Sequence, residues 1–154
     1  GPDIDTVTAD APLVDVLNEC ENVLFPRPPG TGGGGPNLPG VMPGRCAGRR
    51  ATITGTNAGE TIKGTRRRDV IVAHGGNDKV KGLGGNDIVC GGRGKDRLYG
   101  DRGTDVLSGG AANDRLVGGV GRDRLLGGSG RDVLLGGGGP DRLLGGPGRD
   151  SQRQ

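Results

Sequence analysis

From residue 53 onward the aliphatic side chains fall on a nine-residue grid. Ile53 opens it, and Ile62, Ile71, Val80, Val89, Leu98, Leu107, Leu116, Leu125, Leu134 and Leu143 follow without insertion or deletion. Two residues before each of the last ten stands an acid: Glu60, Asp69, Asp78, Asp87, Asp96, Asp105, Asp114, Asp123, Asp132 and Asp141, with Asp150 continuing the series. Asp101 is the one acid beyond residue 46 that lies off the grid. Five residues before each acid stands a glycine, replaced once, by Ala73. The pattern predicts a unit of two parts: a six-residue loop ending in the acid, then a three-residue strand with one inward aliphatic between two outward side chains. Such a strand cannot bury its aliphatic alone. Stacked units bury it, and two units per turn put residues i and i+18 above one another. The expected fold is an all-β parallel roll of nonapeptide repeats, two repeats per turn. Residues 51–56 (ATITGT) carry Ile53 and read as a starter strand.

Stacking also lines up the acids in two files. One holds Glu60, Asp78, Asp96, Asp114, Asp132 and Asp150; the other holds Asp69, Asp87, Asp105, Asp123 and Asp141. Neighbours about 5 Å apart, near the strand spacing, repel by roughly 0.8 kcal/mol in water and by about 3 kcal/mol at an effective dielectric of 20. A cation between successive carboxylates reverses that sign. Carboxylates with glycine-exposed backbone carbonyls make an all-oxygen site, which selects a hard ion of flexible geometry. Calcium fits that description better than zinc, copper or magnesium.

Composition narrows the function. Glycine (37) and proline (10) make up about 31% of the 154 residues, and Phe25 and Tyr99 are the only aromatics. Too few large side chains exist for a conventional enzyme core, and no apolar run is long enough to cross a membrane. His74 is the only histidine and sits where the repeat calls for glycine, so His-dependent catalysis has no good seat. Numerous G-x-G-x-x-G matches follow from composition and lack the strand–helix context of a nucleotide site. A non-enzymatic protein without a small-molecule substrate is expected. The first 45 residues carry a net charge of −4 and the remainder +7. Residues 1–25 include a helix-like apolar spacing over 11–25, so an irregular or partly helical extension is expected there, with a Pro/Gly-rich linker over 26–45 and the roll over 46–154.

The repeat resembles the RTX, or haemolysin-type calcium-binding, nonapeptide G-G-x-G-x-D-x-U-x, best matched from Gly82 to Leu144. The resemblance implies a right-handed parallel β-roll that holds each calcium between loops on one side, through two stacked aspartates and loop-glycine carbonyls. Carried over, the ligand candidates are Asp69, Asp78, Asp87, Asp96, Asp105, Asp114, Asp123, Asp132, Asp141 and Asp150. The loop glycines implied are Gly82, Gly84, Gly85, Gly91, Gly92, Gly94, Gly100, Gly103, Gly109, Gly110, Gly118, Gly119, Gly121, Gly127, Gly128, Gly130, Gly136, Gly137 and Gly139. The pairs are 69/87, 87/105, 105/123 and 123/141 on one side, and 78/96, 96/114, 114/132 and 132/150 on the other. A weaker 60/78 pair makes up to nine sites. Residues 55–60 (GTNAGE) and 64–69 (GTRRRD) lack the second and fourth glycines, which points to a metal-free N-terminal turn around Glu60 and Asp69. Ala111 and Ala112 are expected to distort the loop at Asp114. Gln152, in place of an aliphatic, marks a frayed or polar-capped last half-turn.

Three cysteines leave one over in any disulfide scheme. Cys46, just before the starter strand, and Cys90, at an outward strand position, form the favoured pair, with Cys20 free or intermolecular. Cys20–Cys46, or three reduced thiols, are the alternatives. A disulfide and extracellular-type calcium affinity both fit secretion or a bacterial-type cell surface. The chain shows no signal-peptide pattern, as expected of a mature form. Arg97, Arg115, Arg124 and Arg142, each just after an acid, balance the carboxylate files or, once calcium is bound, contact a polyanion. Val117, Leu126, Leu135 and Leu144 point outward and suggest a covering segment or self-association. The expectation is a secreted calcium-binding roll that folds on meeting calcium. The alternatives are a calcium-dependent surface or matrix assembly protein and a polyanion-binding module.

Overall fold

The computed structural model describes residues 44–154; the segment 1–25, most of the 26–45 linker and Cys20 lie outside the described residues. A hairpin comes first, β1 (Arg45–Cys46) and β2 (Arg49–Arg50), paired antiparallel. Ala47 and Gly48 both take positive φ, 49° and 71°, the two-residue turn whose twist suits a tight hairpin. Twelve strands follow: β3 (Ile53–Thr54), β4 (Thr61–Lys63), β5 (Val70–Val72), β6 (Lys79–Lys81), β7 (Ile88–Arg93), β8 (Arg97–Arg102), β9 (Val106–Ala111), β10 (Arg115–Val120), β11 (Arg124–Ser129), β12 (Val133–Gly138), β13 (Arg142–Leu144) and β14 (Ser151–Arg153). Odd strands β3–β13 form one six-stranded sheet and even strands β4–β14 the other. Each strand pairs in parallel with the one eighteen residues on, as Leu116 does with Leu134 and Leu125 with Leu143. The protein is a parallel β-solenoid of about six turns. Among the described residues no helix is long and apolar enough to cross a membrane.

The core is the grid itself. Ile62, Ile71, Val80, Val89, Leu98, Leu107, Leu116, Leu125 and Leu134 are buried in one cluster with Ala73, and Ile53 and Leu143 close its two ends. Ile53 pairs with Ile71, so the starter strand is present. Gln152 pairs with Leu134 beyond the last aliphatic. It is exposed, a polar lid where the core stops.

The strands differ from the expected three residues. From β7 to β12 each is six residues long, and the loops between them shrink to three. Pairing continues through the glycines, as in Gly119↔Gly137 and Val120↔Gly138. Alternation continues as well: in β10 both Leu116 and Gly118 are buried. From Gly91 to Gly136 the second inward position is glycine, and the aspartate five residues on fills the space a side chain would need; Ala73 takes the same slot ahead of Asp78. Only at the ends do three-residue strands remain.

A second apolar cluster lies outside the roll. Cys46, Val70, Val72, Ile88 and Cys90 are buried together, with Ala47, Ala51 and Val106 against them. Val70 and Val72 flank inward Ile71, so they face outward, and the β1–β2 hairpin covers them. Cys46 and Cys90 are joined in a disulfide, S–S 2.04 Å, the favoured pairing. Val117, Leu126 and Leu135 are half-buried, while Leu144 is 40% exposed and Val120 65%.

Candidate calcium files

All nine acid pairs are brought together by one repeated contact. The backbone N–H of each acid donates to Oδ1 of the aspartate one turn on. Glu60 donates to Asp78, Asp69 to Asp87, Asp78 to Asp96, Asp87 to Asp105, Asp96 to Asp114 and Asp114 to Asp132, each at 2.8 Å. Asp105 donates to Asp123, Asp123 to Asp141 and Asp132 to Asp150, each at 2.9 Å. One oxygen of each receiving carboxylate is thereby committed to the backbone.

The other oxygen is buried without a hydrogen-bond donor. This holds for Oδ2 of Asp78, Asp87, Asp96, Asp105, Asp114, Asp123, Asp132 and Asp141. A buried, unpaired carboxylate oxygen is costly unless a proton or cation reaches it. Backbone carbonyls crowd the same place. A Cβ built on Gly82 would lie 2.5 Å from Asp87 Oδ2 and 2.8 Å from the Gly100 carbonyl; on Gly118 it would lie 2.5 Å from Asp123 Oδ2 and 2.6 Å from the Gly136 carbonyl. Gly91, Gly100, Gly109 and Gly127 repeat this relation with Asp96, Asp105, Asp114 and Asp132. Two acceptors converge on a space that only glycine leaves open, with no hydrogen between them. Among the described residues no three His, Cys, Asp or Glu side chains converge. A bound ion would therefore draw on carboxylates from successive turns and on main-chain oxygens. That donor set is hard and all-oxygen, and it fits calcium.

The electrostatics follow the burial. Loss of water pushes the carboxyls of Asp87 and Asp96 up to about 6, Asp105 up to about 7 and Asp114 up to about 8. The N–H bond from the previous turn pulls each down, and the like charge of file neighbours raises it further. Asp78, Asp123 and Asp132 are raised for the same leading reason. The highest values sit mid-file, where the carboxyls are farthest from either open end.

The N-terminal turn is built differently. Asp69 Oδ2 accepts from the Thr65 N–H at 2.6 Å and the Thr65 hydroxyl at 2.8 Å. Glu60 Oε1 accepts from the Thr56 N–H. Both threonines occupy the second glycine slot, and this Gly-Thr signature was readable in 55–60 and 64–69 as the local source of a substitute donor. The loop at Asp114 is not distorted. Ala112 adopts φ 85° in a glycine slot, its N–H reaches the Ser129 carbonyl at 2.8 Å, and the Asp96–Asp114 contact keeps its length. His74, Leu83 and Asp101 likewise take positive φ, 73°, 78° and 72°, in the second glycine slot.

The remaining candidate glycines have two settings. Gly92, Gly110, Gly119, Gly128 and Gly137, and also Gly94, Gly103, Gly121, Gly130 and Gly139, lie with positive φ against a carbonyl of the turn before. Gly85 does so against Arg67, whereas Gly84 has looser surroundings. The four arginines do not come together. Arg97 and Arg115 are register partners on the even sheet, and Arg124 and Arg142 are partners on the odd one.

The family comparison decides the identity of the repeat. The RTX calcium-binding nonapeptide repeat model matches residues 54–89, 90–125 and 117–151. The chain belongs to the RTX calcium-binding repeat family. No curated protein and no solved structure matches it. It is thus a protein of calcium-binding RTX repeats arranged as a β-solenoid, and the family assignment agrees with the all-oxygen character of the files.

Proposed function

We propose that this RTX protein is a secreted, non-enzymatic roll that completes its fold by taking up calcium between successive turns. The observation that carries the reading is the row of eight buried aspartate oxygens without a donor. Oδ2 of Asp78 through Asp141, with main-chain oxygens at the intervening glycines, would hold the ions; Asp150 would contribute at the C-terminal end. Bound calcium supplies the positive charge that offsets repulsion along each file. Asp69 and Glu60, already served by Thr65 and Thr56, contribute less, so the 60/78 and 69/87 positions are the weakest of the nine. The Cys46–Cys90 disulfide supports an oxidising, extracellular compartment, where calcium is plentiful. The sole histidine, exposed in a glycine slot, supports a non-catalytic role.

Calcium titration followed by circular dichroism and calorimetry tests this. The expected outcome is a cooperative gain of β structure with several ions bound per chain. A fold that persists unchanged in chelator would overturn the reading. Calcium-dependent assembly is a second reading, supported by the exposure of Val120 and Leu144. Light scattering with and without calcium separates the two, since a calcium-loaded monomer at high concentration excludes assembly.

A further inference from the structure

The roll has an open face whose basic side chains calcium ligation does not use. Lys79, Arg97 and Arg115 stand side by side in parallel register on β6, β8 and β10, all exposed. Their backbones are one strand spacing apart, ~4.8 Å. A second file runs beside them, one residue before the buried aspartates, and contains exposed Lys95 and Arg131. The loops that carry these two are fixed: the Lys95 N–H donates to Asn77 Oδ1 and the Arg131 N–H to Asn113 Oδ1, both at 2.8 Å. The two files line one shallow open groove along the roll.

We propose that this groove binds an acidic polysaccharide, laid as an extended chain along the roll axis. The acids that line it, Asp78, Asp96 and Asp114, are buried, at most 2% exposed, with Oδ1 held by the backbone. Five cations over three carboxylates already leave a positive surplus. Calcium held by those carboxylates enlarges it, and in this respect the proposal rests on the calcium reading. A polysaccharide with one acidic group per sugar repeats its charge at close to the strand spacing, so successive groups meet successive cations. Arginine adds two-pronged hydrogen bonding to carboxylate or sulfate. Single-stranded nucleic acid is a poorer match because its bases need aromatic platforms, and no aromatic lines the groove. Duplex DNA winds its phosphates around an axis instead of presenting a straight row. The odd sheet carries a shorter basic run: Val70, Ile88 and Val106 hold the equivalent positions beside the hairpin, and Arg124 and Arg142 follow them in register.

The test is calorimetry on the full chain with a heparin-derived dodecasaccharide, in calcium and in chelator, with circular dichroism on every sample. Lys79→Gln/Arg97→Gln/Arg115→Gln is expected to weaken binding about tenfold and flatten its salt dependence, whereas Arg124→Gln/Arg142→Gln changes it less than about twofold. Should the triple variant fail to fold, Arg97→Gln alone is expected to weaken binding about threefold. Unchanged affinity in a folded groove variant overturns the proposal, as does tighter binding of an oligothymidylate of equal charge. A fold and an affinity that both survive chelation, with the groove variants still weakened, sink the calcium reading and leave the groove standing.

Discussion

The first turns of the roll and its middle turns share one repeat and one register, but they are completed by different means. Around Glu60 and Asp69 the chain supplies its own donors, through Thr56 and Thr65. It also adds a second apolar cluster under the hairpin and a covalent tie between Cys46 and Cys90. From Asp78 to Asp141 a carboxylate oxygen lacks a donor at every half-turn, and beyond Val106 the second cluster ends and one line of aliphatics inside remains. A solenoid is close to a one-dimensional array, in which each turn depends mainly on its neighbours. The difference makes the N-terminal turns the end that supplies its own donors and the middle the part whose buried carboxylate oxygens are left without one.

The largest effect should come from removing calcium. Near neutral pH a chelator is expected to abolish most of the β signal, with hydrogen exchange showing the middle turns lost first and the region around Cys46 and Cys90 last. Acid should partly replace calcium. The mid-file carboxyls are raised to about 6–8 in the roll and return to about 4 when unfolded. Their stabilising contribution to the metal-free roll is therefore fully present below about pH 4 and lost as pH rises through about 6–8. Metal-free circular dichroism across that range checks the sign. By the same linkage, calcium affinity should fall as pH drops through about 8 to 6.

Next in size is Cys90→Ser, which attacks the other end. Opening a bridge across a sequence separation of 44 should cost about 2–4 kcal/mol of calcium-loaded stability, read by denaturant unfolding. The number of ions bound should not change. If stoichiometry falls with the disulfide, the two ends are not independent.

Gly118→Ala probes the middle directly. The added methyl would meet Asp123 Oδ2 and the Gly136 carbonyl at 2.5 and 2.6 Å, so a loss of about 1–3 kcal/mol is expected, together with weaker calcium binding. The smallest contrast is between Asp114→Asn and Asp69→Asn. The first should weaken the adjoining calcium sites about tenfold, ~1.4 kcal/mol, by calorimetric titration. The second should change calcium affinity less than about threefold, ~0.65 kcal/mol, because Thr65 already serves that oxygen. Equal effects would erase the distinction between the end and the middle.

Much of this was legible in the residues because a roll is periodic. The spacing of Leu98, Leu107 and Leu116 could be satisfied only by stacking at eighteen residues, and the same spacing placed every acid beside its partner. Three features were not legible from that period. The strands run on through the glycines, because main-chain pairing does not stop where side chains do. Oδ1 of each file aspartate from Asp78 to Asp150 is taken by the backbone of the turn before, a contact with no signature of its own. The basic groove joins Lys79, Arg97 and Arg115 with Lys95 and Arg131, whereas a reading centred on residues after the acids grouped Arg97 and Arg115 with Arg124 and Arg142 on the far sheet. A hint did exist in the runs VIV (70–72) and IVC (88–90), which carry three apolar residues where the repeat needs one; the hairpin is the reason.

The nonapeptide by itself determined the architecture, the composition of the core and the two acid files, since each follows from a spacing that only one kind of stacking can satisfy. Tertiary structure alone decided which carboxylate oxygens are capped and which are bare, which outward faces are covered, and which cations share a groove. Those are questions of what lies beside a residue one turn away or across the roll, and burial and hydrogen-bond supply are settled only when the turns are in contact.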